Sequence, residues 1–135
     1  MSRTKKLLGL DVGSVRIGAA IADSSVRIAV PHDTIPVDGN ELRAIAQLVV
    51  EGDIDTIVVG YPRNQSGEPT SQTAAVETFA ESLKDMADRV EFQDESLTSV
   101  LAEKRLEARG APYDKADIDA EAAAIILQDY MEQWL

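Results

Sequence analysis

Three groups of carboxylates stand where a packed chain has little reason to put them. The first is Asp11, inside the strand-like run "LLGLDVG" of residues 7–13. Side chains alternate across a strand, so Leu7, Gly9, Asp11 and Gly13 share one face, and Leu8, Leu10 and Val12 share the other. Glycines beside an acid leave room for a ligand, a metal or another backbone to come close. A buried carboxylate without a partner is costly and needs a cation, hydrogen-bond donors or solvent. The plainer reading of Asp11 is a cap on the turn that follows. The second group is Asp94-Glu95-Ser96, where the strand candidate "VEFQD" of residues 90–94 ends. Open α/β sheets commonly place their sites at such strand ends. Parity does not choose between the two acids: Asp94 shares a face with Val90 and Phe92, whereas Glu95 follows Glu91 and Gln93. The third group lies in "DKADIDAEAAAIIL", residues 114–127. Asp119 precedes Ala122, Ala123 and Ile126 by three, four and seven residues, in line with the apolar stripe of a helix. Asp117 lines up with Glu121 and Gln128 on the wetter side and reads as an N-cap.

Inward-biased acids from a first strand, a later strand end and a last helix would repel one another strongly unless cations intervened. Mg²⁺ or Mn²⁺ suits clustered carboxylates with open water positions. Such ions can activate water and stabilise the leaving oxygen of a phosphodiester. The elements that must position these acids follow from the apolar pattern. Residues 6–12 and 16–22 read as strands joined by a turn at Gly13-Ser14, and residues 26–36 as a third. "GNELRAIAQLVVEG" reads as a helix with Asn40 as N-cap and Gly52 near its end. "DTIVVGYP" is a continuous apolar strand, as expected for one buried on both faces. The polar stretch "RNQSGEPTSQ" has no periodicity, and helices follow over 72–88, 98–109 and 118–134 with the strand of residues 90–94 between. The order β-β-β-α-β-α-β-α-α predicts an α/β fold with a mixed five-stranded sheet flanked by helices.

The 135 residues suit one domain spanning 1–135, and no repeat or linker divides them. With no cysteine, disulfides, zinc–thiolate sites and thiol nucleophiles are excluded. The single histidine, His32, rules out a histidine metal cluster and reads as a turn or surface residue. No signal-peptide core follows "MSRTKK" and no apolar run approaches bilayer-spanning length, so a soluble cytoplasmic protein without membrane contact is expected. A formal net charge of -11 argues against simple coating of nucleic acid. The charge is uneven: residues 1–30 hold five Lys/Arg against two Asp, and residues 91–135 hold four against eleven Asp/Glu. Thr98 and Ser99 read as helix-capping residues, Tyr130 and Trp134 as packing residues rather than base-stacking ones, and Lys104, Arg105 and Arg109 as a solvated basic face.

"LGLDVGSVRIGAAIAD", "IVVGYPRNQSG", "DESLTS" and "DAEAAAIILQDYM", in this order across nearly the whole chain, resemble the YqgF family of pre-16S rRNA nucleases and Holliday-junction-resolvase-like proteins. The resemblance implies an RNase H-like fold and a metal-dependent nuclease acting on structured RNA. By it Asp11, Glu95 and Asp119 match the acidic catalytic positions and hold Mg²⁺ or Mn²⁺, which selects Glu95 over Asp94. Arg16 matches a basic position in the first hairpin beside Gly13, and Pro62, Asn64 and Gly67 match a substrate-side loop. The chain departs from the family at Ser96, where Arg is usual, and at Tyr61 and Arg63, where apolar residues are usual. Arg63 is a candidate replacement for the missing cation. The implied partners are precursor small-subunit rRNA and, alternatively, branched DNA, bound by a monomer or homodimer. Two other classes compete. "DVGSVRIGAAIAD" also looks like the phosphate hairpin of the actin/sugar-kinase superfamily, whose members close a second, similar domain over a nucleotide; 135 residues are too few for both. Ser96 and the acidic surface are compatible with a catalytically silent RNA-binding factor.

Overall fold

A computed structural model describes residues 4–62, 70–95 and 98–135. The order of elements is the expected one: β1 (Lys6–Val12), β2 (Arg16–Asp23), β3 (Val30–Pro36), α1 (Glu41–Gly52), β4 (Thr56–Pro62), α2 (Ser71–Leu83), β5 (Arg89–Glu95), α3 (Thr98–Arg109) and α4 (Lys115–Trp134). The strands form one five-stranded sheet in the order β3-β2-β1-β4-β5. β1, β2 and β3 make an antiparallel meander, and β4 joins β1 in parallel with β5 beyond it. β3 and β5 are therefore the edge strands.

The alternation of β1 sorts its residues onto two cores. Leu8 and Leu10 pack with Ile17, Ala19, Ile57, Val59, Ile45 and Val76 on the face covered by α1 and α2. Leu7 packs with Ala20, Ala22 and Val58 against Ala123, Ile126, Leu127 and Met131 of α4 on the other. Asp11 lies on the α4 face, as parity predicted. The small residues of that face admit the helix itself. A methyl group on Gly9 would sit 2.8 Å from Leu127 Cβ, and one on Gly18 would lie 1.9 Å from the Asp119 carbonyl oxygen. Backbone thus meets backbone at Gly18, and the start of α4 is pinned to β2 at the level of Asp11, which pairs with Gly18 across the sheet.

Two helix starts differ from expectation. α4 begins at Lys115, where Asp114 is the N-cap and Asp117 the third helical residue, each side chain accepting from the other's backbone N–H. Asp117 therefore completes a capping box rather than acting as the cap. Asn40 precedes α1 as expected, but its side chain makes no cap hydrogen bond. The polar face of α3 is not simply solvated either. Arg109 donates to both carboxylate oxygens of Glu121, at 2.7 and 3.3 Å, and Arg105 lies 3.7 Å from Oε1. Glu121 is 1% exposed, so these arginines neutralise a buried charge between α3 and α4. Among the described residues no helix is long and apolar enough to cross a membrane.

Candidate active site

The acids meet at the ends of β1 and β5, beneath the first turns of α4. Asp11 is the sixth residue of β1, Glu95 ends β5, and Asp119 stands in the second turn of α4. The parallel pairing of β4 with β1 and β5 carries both strand ends to the same edge of the sheet. Glu95 shares its face with Gln93, which is 4% exposed, and so turns toward α4. Gly60 makes this possible, because a Cβ there would lie 2.3 Å from Glu95 Oε2 and 2.6 Å from Ile126 Cδ1.

The electrostatics of the pair are unfavourable for two free carboxylates. Burial, then the charge of Asp119, pushes the Asp11 carboxyl up to about 6 against the opposing effect of a hydrogen bond with Glu95. Burial, then repulsion by Asp11 and the hydrogen bond between them, pushes Glu95 up to about 8. Without a cation the two acids therefore hold a proton between them near neutral pH. Among the described residues Glu95 Oε2 is the buried side-chain oxygen that finds no hydrogen-bond partner. Leaving such an atom unsatisfied costs roughly 1–3 kcal/mol. This orphaned oxygen and the all-oxygen donor set fit a hard divalent cation.

Asp119 is within electrostatic range of Asp11, but its Oδ2 accepts a 2.6 Å hydrogen bond from Arg16 Nε. The arrangement is thus a close Asp11–Glu95 pair with Asp119 beside it, tied to the hairpin. Among the described residues no group of three or more acidic or histidine side chains forms a ready-made metal cage. Arg16, about one-third exposed, brings a guanidinium to the rim of the acids. Gly13 serves the same hairpin through its N–H, which donates to the Arg16 carbonyl at 3.0 Å; a Cβ on Gly13 would sit 2.7 Å from that oxygen. Pro62 ends β4, and its carbonyl accepts from the Thr73 hydroxyl at 2.7 Å. Arg63, Asn64, Gly67 and Ser96 lie outside the described residues.

Two positions that shape the site were not singled out from sequence. Gly18 and Gly60 are spacers, one for the backbone of α4 and the other for the Glu95 carboxyl. Their signal was present in "RIGAAI" and "VVGYP": a glycine interrupting an apolar strand marks a close approach. Trp134 also departs from expectation. It is 67% exposed rather than packed, while Tyr130 is buried.

A mixed sheet of this order, with acids at the ends of its first and last strands and a helix packed across them, defines the class: an RNase H-like nuclease fold. The RuvC of Thermus thermophilus, solved in complex with a Holliday junction substrate, has the same fold, with a TM-score of 0.60 and 16% identity over 96% of each chain. Fowlpox virus resolvase, solved with Holliday junction DNA, superposes with a TM-score of 0.60 at 13% identity, covering 96% of this chain and 99% of that one. The family model described as "RuvX: Holliday junction resolvase" matches residues 5–133, and the chain belongs to this family, the YqgF family of the resemblance. A Chloroflexus aggregans protein named "Putative pre-16S rRNA nuclease" is 47% identical over 132 residues, covering 93% of this chain and 92% of its own. A Synechocystis protein of the same name is 40% identical, covering 98% of this chain and 90% of its own.

Proposed function

We propose that this chain is a metal-dependent endonuclease that processes the ends of pre-16S rRNA during ribosome biogenesis, acting in the cytoplasm as one RNase H-like domain, monomeric or as a homodimer. Its relatives' names support the substrate, and the family supports phosphodiester hydrolysis. The observation that carries the reading is the buried, unpartnered Glu95 oxygen beside Asp11, in a pair that retains a proton unless a cation arrives.

Asp11, Glu95 and Asp119 are the residues that would hold Mg²⁺ or Mn²⁺. When bound, such an ion supplies positive charge at the scissile phosphate and acidifies water. The chain's own contributions are separable. The Asp11–Glu95 pair must give up its proton as the ion binds, so rising pH favours uptake of the ion. Arg16 orients Asp119 through its Nε and brings a fork of N–H donors suited to a phosphate oxygen. Gly13 keeps the hairpin tight enough to aim that guanidinium. Arg63 and Asn64 are assigned to the substrate side on the family resemblance alone.

The test is cleavage. Purified protein is incubated with precursor small-subunit rRNA and with four-way DNA junctions, with and without Mn²⁺, beside Asp11→Asn. Mn²⁺-dependent trimming of the rRNA that Asp11→Asn lacks is the expected result. Cleavage of junctions alone would transfer the assignment to branched DNA, which the family's description favours. RNA binding without cleavage in any metal would leave a silent binding factor.

A further inference from the structure

The chain has six aromatic residues in all: one Trp, three Tyr and two Phe. Two of them stand exposed at the free edge of β5. Phe92 is 42% exposed on the α2 side of the strand, and Trp134 is 67% exposed where the end of α4 crosses to its other side. Neither is loose. Phe92 is backed by Tyr61, with ring centroids 4.9 Å apart, and Tyr61 in turn donates from its hydroxyl to Glu77 at 2.7 Å. The Trp134 indole N–H donates to Gln93 Oε1 at 3.3 Å. Between them lies a cleft of about 390 Å³.

The position of this cleft gives it an occupant. Gln93 and Asp94 line it, and the next residue along β5 is Glu95 of the acid pair. A strand that places its terminal carboxylate at a scissile phosphate also presents Phe92 to the neighbouring nucleotides, and the Trp134 contact with Gln93 brings the end of α4 beside it. The other lining groups include Glu77, an acid that disfavours phosphate, and the amide of Gln133, which suits the edge of a base. A chain of net charge -11 has few cations with which to hold a polyanion, and flat aromatic faces bind unpaired bases without them.

We infer that the cleft at the free edge of β5 is a stacking site for an unpaired nucleobase flanking the cleaved bond, with Trp134 and Phe92 as its platforms. The inference rests on the nuclease reading for its substrate and extends it to a preference for single-stranded segments next to the cut. Base–aromatic stacking is sequence-tolerant, because every base has a π-face. The site therefore confers a preference for unpaired over paired nucleic acid, not for one base over another.

Trp134 is the only tryptophan, so its fluorescence reports the stack in the unmodified protein. The full chain is titrated, with Ca²⁺ in place of Mn²⁺ to prevent turnover, with a short single-stranded RNA, a blunt RNA duplex and an abasic phosphodiester of the same length. Strong quenching by the single strand, with little by the duplex or the abasic chain, is expected. Trp134→Ala and Phe92→Ala should each bind the single strand roughly tenfold more weakly, with Trp134→Phe within about threefold of wild type. Unchanged emission at saturating RNA, equal quenching by the abasic chain, or alanine variants that lose single strand and duplex affinity alike would each overturn the site. The fluorescence reading needs no variant and stands even where an alanine loosens the β5 edge. A wild-type chain that cleaves without quenching loses the stacking site alone. One that quenches but never cleaves loses the nuclease assignment and keeps the stack.

Discussion

Helix α4 carries acids into two buried neighbourhoods, and the protein treats them in opposite ways. Glu121, 1% exposed, receives a two-pronged contact from Arg109 and a longer one from Arg105. The Asp11–Glu95 pair, two residues away along the helix from this arrangement by way of Asp119, receives no such cations among the described residues. Burial and then the charge of Asp119 push Asp11 up to about 6, and burial and then Asp11 push Glu95 up to about 8. Among the described residues Arg16 pairs with Asp119. An acid supplied with arginines is finished when the chain folds. An acid pair left, among the described residues, with an orphaned oxygen and a retained proton is unfinished, and a bound cation would complete it.

The two acidic neighbourhoods should differ most in catalysis. Asp11→Asn or Glu95→Gln should lower cleavage by roughly 10²–10³-fold or more, as loss of a centre that stabilises developing charge does. Glu121→Gln should leave the rate within a few fold. Turnover of the three variants under identical Mn²⁺ checks this, and a Glu121→Gln enzyme as inactive as Glu95→Gln would erase the distinction.

Stability should move the opposite way. Removing the Arg109 side chain leaves Glu121 buried with only the longer Arg105 contact, so Arg109→Ala should cost about 2 kcal/mol in urea unfolding, less than for a fully buried pair because Arg109 is half-exposed. Glu95→Gln in the metal-free protein should instead stabilise at pH 8, on the order of 2 kcal/mol, by removing a carboxyl whose folded form resists ionisation. A Glu95→Gln protein that melts below wild type in EDTA would show the pair to be structural.

The pH dependence has a defined sign. Both acids have folded pKa values raised above their ordinary 3.8 and 4.5, so the folded metal-free protein holds protons that the unfolded chain has released. Stability tied to this pair is therefore greatest at acid pH and is lost as pH rises through about 6 and about 8. Melting temperatures in EDTA should fall across that window, Mn²⁺ should restore more at pH 8 than at pH 6, and Asp11→Asn/Glu95→Gln should flatten the slope. The smallest effect concerns shape. Gly60→Ala meets side-chain ends rather than backbone, the Glu95 carboxyl at 2.3 Å and Ile126 Cδ1 at 2.6 Å, so it should reduce cleavage more than it reduces stability. Gly18→Ala, meeting the backbone of α4, should reduce both.

What could be read from sequence follows the range of the forces involved. Alternation in β1 placed Asp11 on the small-residue face, and the phase of α4 turned Asp119 inward, because both are properties of one element. The choice between Asp94 and Glu95 was not local. β5 is an edge strand whose apolar residues, Val90 and Phe92, face α2, while the buried Gln93 and Glu95 face α4; the more hydrophobic side was not the side of the site. The arginine clasp on Glu121 was invisible for the same reason. It joins α3 to α4 across space, and along the chain Arg105 and Arg109 show only a basic face. The exposure of Trp134 depends on where α4 leaves the sheet, which its apolar stripe does not encode.

The most direct test is Mn²⁺ uptake, followed by the loss of the free-ion electron paramagnetic resonance signal, in wild type, Glu95→Gln and Glu121→Gln. Saturable binding by wild type and Glu121→Gln, weakened at least about tenfold in Glu95→Gln, is the predicted result. Equal uptake by all three, or none by wild type at pH 8, would contradict a cation as the missing partner of Asp11 and Glu95.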